Sequence, residues 1–274
     1  MTLFDGKPLE INKKISKVVL SASRMTDMPK FYPKQIIEEV NKRLQQSMAV
    51  HTLALWTKHP KSLLTEPLFS FLVQLREKGI QLSIQLTITG LGGLTIGVKS
   101  NGKPLVLEPK APPFQESLSV LPNIITLVGH PARIRLRVNP IVRISDNQGN
   151  IFSSAKLLPS IIKVASQHSI KHFSFSFLEN NVHRKVDKRF KQLGCNIIPP
   201  TDEEREKFRE WVCMLEHIYC VYIYSCCVPG FKETKCIDGE LLRLLHDNNE
   251  PACLKQPRKR NLCGCTLSID VGGW

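Results

Sequence analysis

Long apolar runs are missing from this chain, and so is a secretory leader. Met1 to Lys14 carries Asp5, Lys7, Glu10, Lys13 and Lys14 and has no apolar core of the length a signal peptide needs. No later stretch approaches the roughly 20 apolar residues that span a bilayer. The expected location is therefore the cytoplasm, with no membrane partner. Several catalytic patterns are also missing. His51, His59, His168, His172, His183 and His217 show no H-E-x-x-H or similar spacing, so a histidine-built metal site is unsupported. There is no G-x-S-x-G elbow and no Walker loop, and hydrolase and nucleoside-triphosphatase readings lose their usual anchors. Acidic residues are few. Asp and Glu number 24 against 38 Lys and Arg, and the net charge of +14 favours an anionic substrate or a nucleic acid as partner. Apart from Lys255-Gln-Pro-Arg258-Lys259-Arg260 the basic residues are scattered, as on a solvated basic surface.

What is present suits a globular α/β protein. At 274 residues, with 42% apolar content, the chain can bury a sizeable core without disulfides. Nine cysteines in a reducing compartment are then better read as metal ligands or redox groups than as a disulfide framework.

Strand and helix patterns alternate along the chain. Lys17 to Ala22 reads as a buried strand and Tyr32 to Gln46 as a helix. His51 to Trp56 is a strand, Leu63 to Lys78 a helix with Gly79 as its C-cap, and Gln81 to Thr89 an alternating strand. After a Gly- and Pro-containing connection, Phe114 to Val128 forms a helix broken by Pro122. Ala132 to Val138 then alternates, with Arg133, Arg135 and Arg137 on one face. Ser154 to His168 (helix), Lys171 to Phe177 (strand) and Val182 to Leu193 (basic helix) follow. The helix from Thr201 to His217 carries capping-box spacing at Thr201 and Glu204, and Cys220 to Tyr224 is a sixth strand. Six such units predict parallel βαβ crossovers, as in an open, partial (β/α)6 TIM-like barrel, with a doubly wound sheet as the alternative. The unusual residues fall just after the strands, where both architectures bind ligands. From Pro229 the texture becomes cysteine-bearing and basic, which divides the chain into a barrel-like domain, 1–228, and a small Cys-rich module, 229–274.

Cys226, Cys227, Cys236, Cys253, Cys263 and Cys265 lie close together in sequence. Four thiolates from such a set hold zinc or an iron-sulfur cluster, and the spacing matches no standard zinc ribbon. The plain alternative is inert thiols, which is the better reading for Cys195, Cys213 and Cys220. Arg24, Thr26 and Asp27, with Lys58, offer donors and one carboxylate at strand ends, suited to an anionic or zwitterionic ligand. Equally, Thr26 and Asp27 read as a helix cap before Pro29. Gly90-x-Gly92-Gly93 lacks the dinucleotide spacing and reads as a turn.

Taken together, these motifs resemble a bacterial family known as domain of unknown function 1848. The resemblance lies in Ser21 to Tyr32 (S-A-S-R-x-T-D-x-P-x-F-Y), Trp56 to Pro60 (W-T-K-x-P), Thr87 to Gly90 (T-x-T-G) and Arg184 to Val186 (R-K-V). It continues in Cys236 to Leu242 (C-I-D-G-E-L-L) and in Cys263 to Gly272 (C-G-C, then S-x-D-x-G). The resemblance implies a barrel of radical-SAM type whose C-x-x-x-C-x-x-C-type cluster motif lies at the far C-terminus. That motif is absent from these 274 residues. The expectation is thus a radical-SAM-like chain cut short of it, using S-adenosylmethionine only if the motif is supplied, and then needing a reductant. Cys226, Cys236, Cys263 and Cys265 look like a separate four-thiolate site, with an iron-sulfur cluster or zinc as the expected cofactor. Where the family has R-x-D-P, this chain has Arg137-Val-Asn139-Pro140, which removes the carboxylate that an acid/base role would use. Arg24, Asp27, Lys58 and Arg137 are the expected ligand contacts of an active form. Two rivals remain: a zinc-holding protein whose Lys255 to Arg260 stretch binds nucleic acid, and a catalytically silent scaffold with free cysteines.

Overall fold

The structure is a computed structural model that describes residues 17–22, 25–182, 184–256 and 263–272. Seven parallel strands form one sheet: β1 Val18–Ala22, β2 Val50–Thr57, β3 Gln81–Thr87, β4 Ile134–Ile141, β5 His172–Phe177, β6 Tyr222–Ser225 and β7 Ile269–Asp270. Their order is β6-β5-β4-β3-β2-β1-β7. The first six strands therefore lie side by side in chain order, without the reversal that marks a doubly wound sheet. Among the described residues nothing pairs β6 with β7, and the sheet is not closed.

Helices α1 Pro33–Gln45, α2 Leu68–Glu77, α3 Leu121–Val128, α4 Leu158–Gln167, α5 Arg184–Leu193 and α6 Asp202–Tyr219 fill the connections. Proline sets several of their starts. The residues before α2 form a 3-10 turn, and Pro67, which has no N–H to offer, caps the helix; this is why α2 starts later than the apolar spacing predicts. Pro122 likewise splits the stretch from Phe114 into two helices. At α6 the capping box of Thr201 and Glu204 forms as its spacing predicts.

Side chains alternate across a strand, and here the two faces differ in chemistry. One face presents Leu53, Leu55, Leu82, Ile84, Leu136 and Phe173 to Ile36, Leu72, Ile124, Ile161 and Val212 of the helices. The other is mostly polar: Gln81, Ser83, Gln85, Arg135 and Ser174 are all buried there. A strand buried on both faces by helices would read as continuously apolar. The alternation in β3 instead records a second face covered by the chain after residue 229. Gln85 Nε2 donates to the Cys236 carbonyl at 2.7 Å, Gln81 Nε2 to Leu242 O at 3.1 Å, and Arg135 Nη1 to Thr234 Oγ1 at 2.9 Å. The short helix α7, Gly239–Leu244, belongs to this covering, and β7, which the strand patterns did not predict, adds to the free edge of β1.

A second, smaller core of Leu91, Ile96, Leu105, Val142, Ile144, Phe152 and Phe190 gathers the connections that follow β3, β4 and β5. The connection after β3, expected as a loop, contains the hairpin Thr95–Val98 and Pro104–Val106. Asp146 stitches this lobe together, accepting from the backbone amides of Val98 at 3.0 Å and of Gln148 and Asn150 at 2.9 Å. No helix among the described residues is long and apolar enough to cross a membrane.

Candidate functional site

At the carboxyl ends of β1 to β4, between the sheet and the second lobe, lies a cleft of about 620 Å³. Its polar wall is organised by Asp27. One carboxylate oxygen accepts from Thr57 Oγ1 at 3.1 Å, from the Lys58 amide at 2.7 Å and from His59 Nδ1 at 2.9 Å. The other accepts from the Lys30 amide at 3.3 Å, so Asp27 is both the cap of the Met28–Phe31 turn and a brace between the ends of β1 and β2. His59 Nε2 lies 2.9 Å from the Lys110 carbonyl. Both ring nitrogens thus face acceptors, which only the imidazolium satisfies. The hydrogen bond to Asp27 holds the His59 pKa above its ordinary value, against the opposing effect of burial.

Lys58 turns to the other wall, where its Nζ sits 2.5 Å from Glu108 Oε1, while Glu108 Oε2 accepts from Thr89 Oγ1 at 2.7 Å. Glu108 is placed by the glycine turn after β3: Gly92 bridges to Glu108, and the Gly93 amide donates to its carbonyl at 3.2 Å. A Cβ on Gly92 would lie 1.9 Å from the Pro112 carbonyl oxygen, so only glycine lets these backbones meet. Gly92→Ala is therefore expected to destabilise the fold by about 1–3 kcal/mol through overpacking, read as a lower urea midpoint; an unchanged midpoint would show that the 108–112 wall gives way freely.

The second cluster is sulfur. None of the nine cysteines is in a disulfide. Cys226, just past β6, is hydrogen-bonded to Cys236, Cys236 also to Cys265, and Cys265 also to Cys263. The bond with Cys236 lowers the Cys226 thiol against the effect of burial. The same bond raises Cys236, and Cys265 is pushed up by its bond with Cys236 and by burial. The sulfurs form a chain. Among the described residues no group of three or more His, Cys, Asp or Glu side chains is arranged so that it could hold a metal ion. The donor types suit an iron-sulfur cluster or zinc; the arrangement as it stands does not enclose one. Arg137 joins the two regions, lining the cleft and acting electrostatically on Cys226 and Cys236. Its Nε is buried without a hydrogen-bond partner, as are Gln85 Oε1, His172 Nδ1 and Ser174 Oγ on the same polar face.

The structure thus brings Thr26, Asp27, Lys58 and Arg137 to one cleft, and Cys226, Cys236, Cys263 and Cys265 into one hydrogen-bonded chain. Arg24, and the basic run from residue 257 onward, lie outside the described residues. Cys195 packs in the second core, whereas Cys213 and Cys220 are exposed. Asn139 accepts from Ser176 Oγ at 2.5 Å. Sequence reasoning missed Glu108, whose loop carries no pattern, and the part played by His59, which stands inside the W-T-K-x-P stretch.

Fold and site together define an α/β protein with a mostly parallel sheet, a ligand-sized cleft at its strand ends and a line of thiols beside it. The chain belongs to the family described as domain of unknown function DUF1848, whose sequence model matches residues 19–274. No curated protein matches it.

Proposed function

We propose that this protein is a radical-SAM-like scaffold, a partial (β/α)6 barrel whose Cys-rich C-terminal module holds a cysteine-ligated iron-sulfur centre beneath a substrate cleft. The observation that carries the reading is the convergence of Cys226, Cys236, Cys263 and Cys265, from three separate stretches, beside Arg137. Arg137 Nε, Gln85 Oε1, His172 Nδ1 and Ser174 Oγ, buried without partners on the same polar face, add support, since buried polar atoms are ordinarily satisfied. When bound, such a centre supplies one-electron chemistry and needs an external reductant. The chain's own residues do the rest. Asp27 and His59 fix the strand ends, the Lys58–Glu108 pair closes one wall, and Arg137 presents a positive charge to an anionic ligand. The three-cysteine motif that would bind S-adenosylmethionine is not among these 274 residues, and no step using that cofactor is assigned.

The test is metal and sulfide analysis with an absorption spectrum, on protein purified without oxygen. Iron and sulfide near stoichiometry are expected, with loss of both in Cys236→Ser at unchanged secondary structure. Zinc alone would favour the nucleic-acid rival, whose binding falls steeply with salt. A folded, metal-free protein would leave a silent scaffold and sink the proposal.

A further inference from the structure

The cations of the cleft are not equivalent. Lys58 is paired with Glu108, and His59 with Asp27. Among the described residues Lys110, Arg137 and Arg189 take part in no salt bridge, although all three line the cleft. Arg137 is the one set into the strand wall, on β4 beside Thr87 of β3, and its Nε is buried without a partner. A buried guanidinium edge with nothing to donate to is costly unless something outside the chain completes it.

The rest of the lining limits what that is. Trp56, Phe31, Leu91, Leu107, Leu178 and Phe190 give the cleft a largely apolar wall, which suits an organic body over a bare inorganic ion. Nor, among the described residues, does the glycine turn leave the amides of Leu91, Gly93 or Leu94 free for a phosphate. In the glycine turn the Leu91 amide donates to Thr89 Oγ1, and the Gly93 and Leu94 amides donate to Glu108 O and Leu91 O. A planar fork facing an apolar cleft matches the two oxygens of a carboxylate.

We propose that the cleft binds a small organic acid, its apolar or aromatic body against Trp56, Phe31 and Phe190 and its carboxylate on the guanidinium of Arg137. This deepens the substrate-cleft part of the proposed function and does not depend on the cysteine centre.

The test is isothermal titration of the full chain with 4-phenylbutyrate, its neutral amide and inorganic phosphate, using wild type and Arg137→Gln, on metal-containing and metal-stripped protein. The acid is expected to bind at least about tenfold more tightly than the amide, and Arg137→Gln to erase that preference. Binding is expected to be alike with and without metal, so its failure is distinct from failure of the iron-sulfur reading. The acid-against-amide comparison uses the wild-type chain and stands even where the variant does not fold. Equal binding of acid and amide, no binding of the acid, or displacement of the acid by equimolar phosphate would each overturn the proposal, as would a preference that survives in Arg137→Gln.

Discussion

Asp27→Ala is expected to lower the free energy of unfolding by about 3 kcal/mol, because it breaks a largely buried charge pair and strips several donors of one acceptor. The Lys58 amide and the Thr57 hydroxyl lose their partner, and His59 keeps only the Lys110 carbonyl. Asp27→Asn is expected to cost less, since its amide oxygen can take the place of the carboxylate oxygen that receives the Thr57, Lys58 and His59 donors, and what is lost is the negative charge and the acceptor for the Lys30 amide. Urea denaturation measures both.

The same pair predicts the pH dependence. His59 has a folded-state pKa raised above its ordinary value of 6.5 by Asp27. Its contribution is therefore fully present below the unfolded pKa and is lost as pH rises through the folded one. Above that range the neutral ring keeps one N–H for two acceptors. His51 pulls the other way. Burial lowers its pKa to about 4, so it contributes stability above 6.5 that is lost as pH falls. Subtracting the Asp27→Ala curve from the wild-type curve isolates His59. That difference should be largest in mild acid and shrink toward alkaline pH; a flat difference from about pH 5 to about pH 9 would mean that His59 is not held as an imidazolium.

Arg133→Met is expected to cost about 3 kcal/mol and to act far from the cleft. Arg133 is buried at the start of β4, donates to the Val128 carbonyl at 2.8 Å and to Asp247 Oδ1 at 2.8 Å, and also reaches the Leu245 carbonyl. Methionine fills much of the volume and leaves both carbonyls unpaired. Because Leu245 and Asp247 belong to the chain that covers the polar face, the loss should loosen that covering first. Amide hydrogen exchange over residues 239–252 should therefore quicken more than exchange in β2 or β3. A uniform rise across the sheet would instead make Arg133 a general core residue.

Much of the architecture was legible because it depends on local spacing. The period of the apolar residues marked six strands and their helices, and Thr201 with Glu204 marked the start of α6 to the residue. The strand-end position of Asp27 and Lys58 followed from the same periodicity, since residues just past parallel strands share one edge, while Arg137 comes from within β4 itself. β7 was not legible: two residues, Ile269 and Asp270, carry no period, and they are a strand only because β1 offers an unpaired edge. Glu108 escaped for a related reason. It sits in an irregular connection, and its place beside Lys58 depends on Gly92 letting two backbones touch.

The sequence by itself determined which residues face the helices and which face the polar side, because alternation along a strand is a local property of the backbone. It also placed four cysteines close enough in the chain to meet. Only the tertiary structure decided that they form a line of thiols against the polar face, that Lys58 is neutralised while Arg137 is not, and that His59 is clamped between two acceptors. Charge compensation depends on distance in space, and the partners involved come from strand ends and loops far apart in the chain.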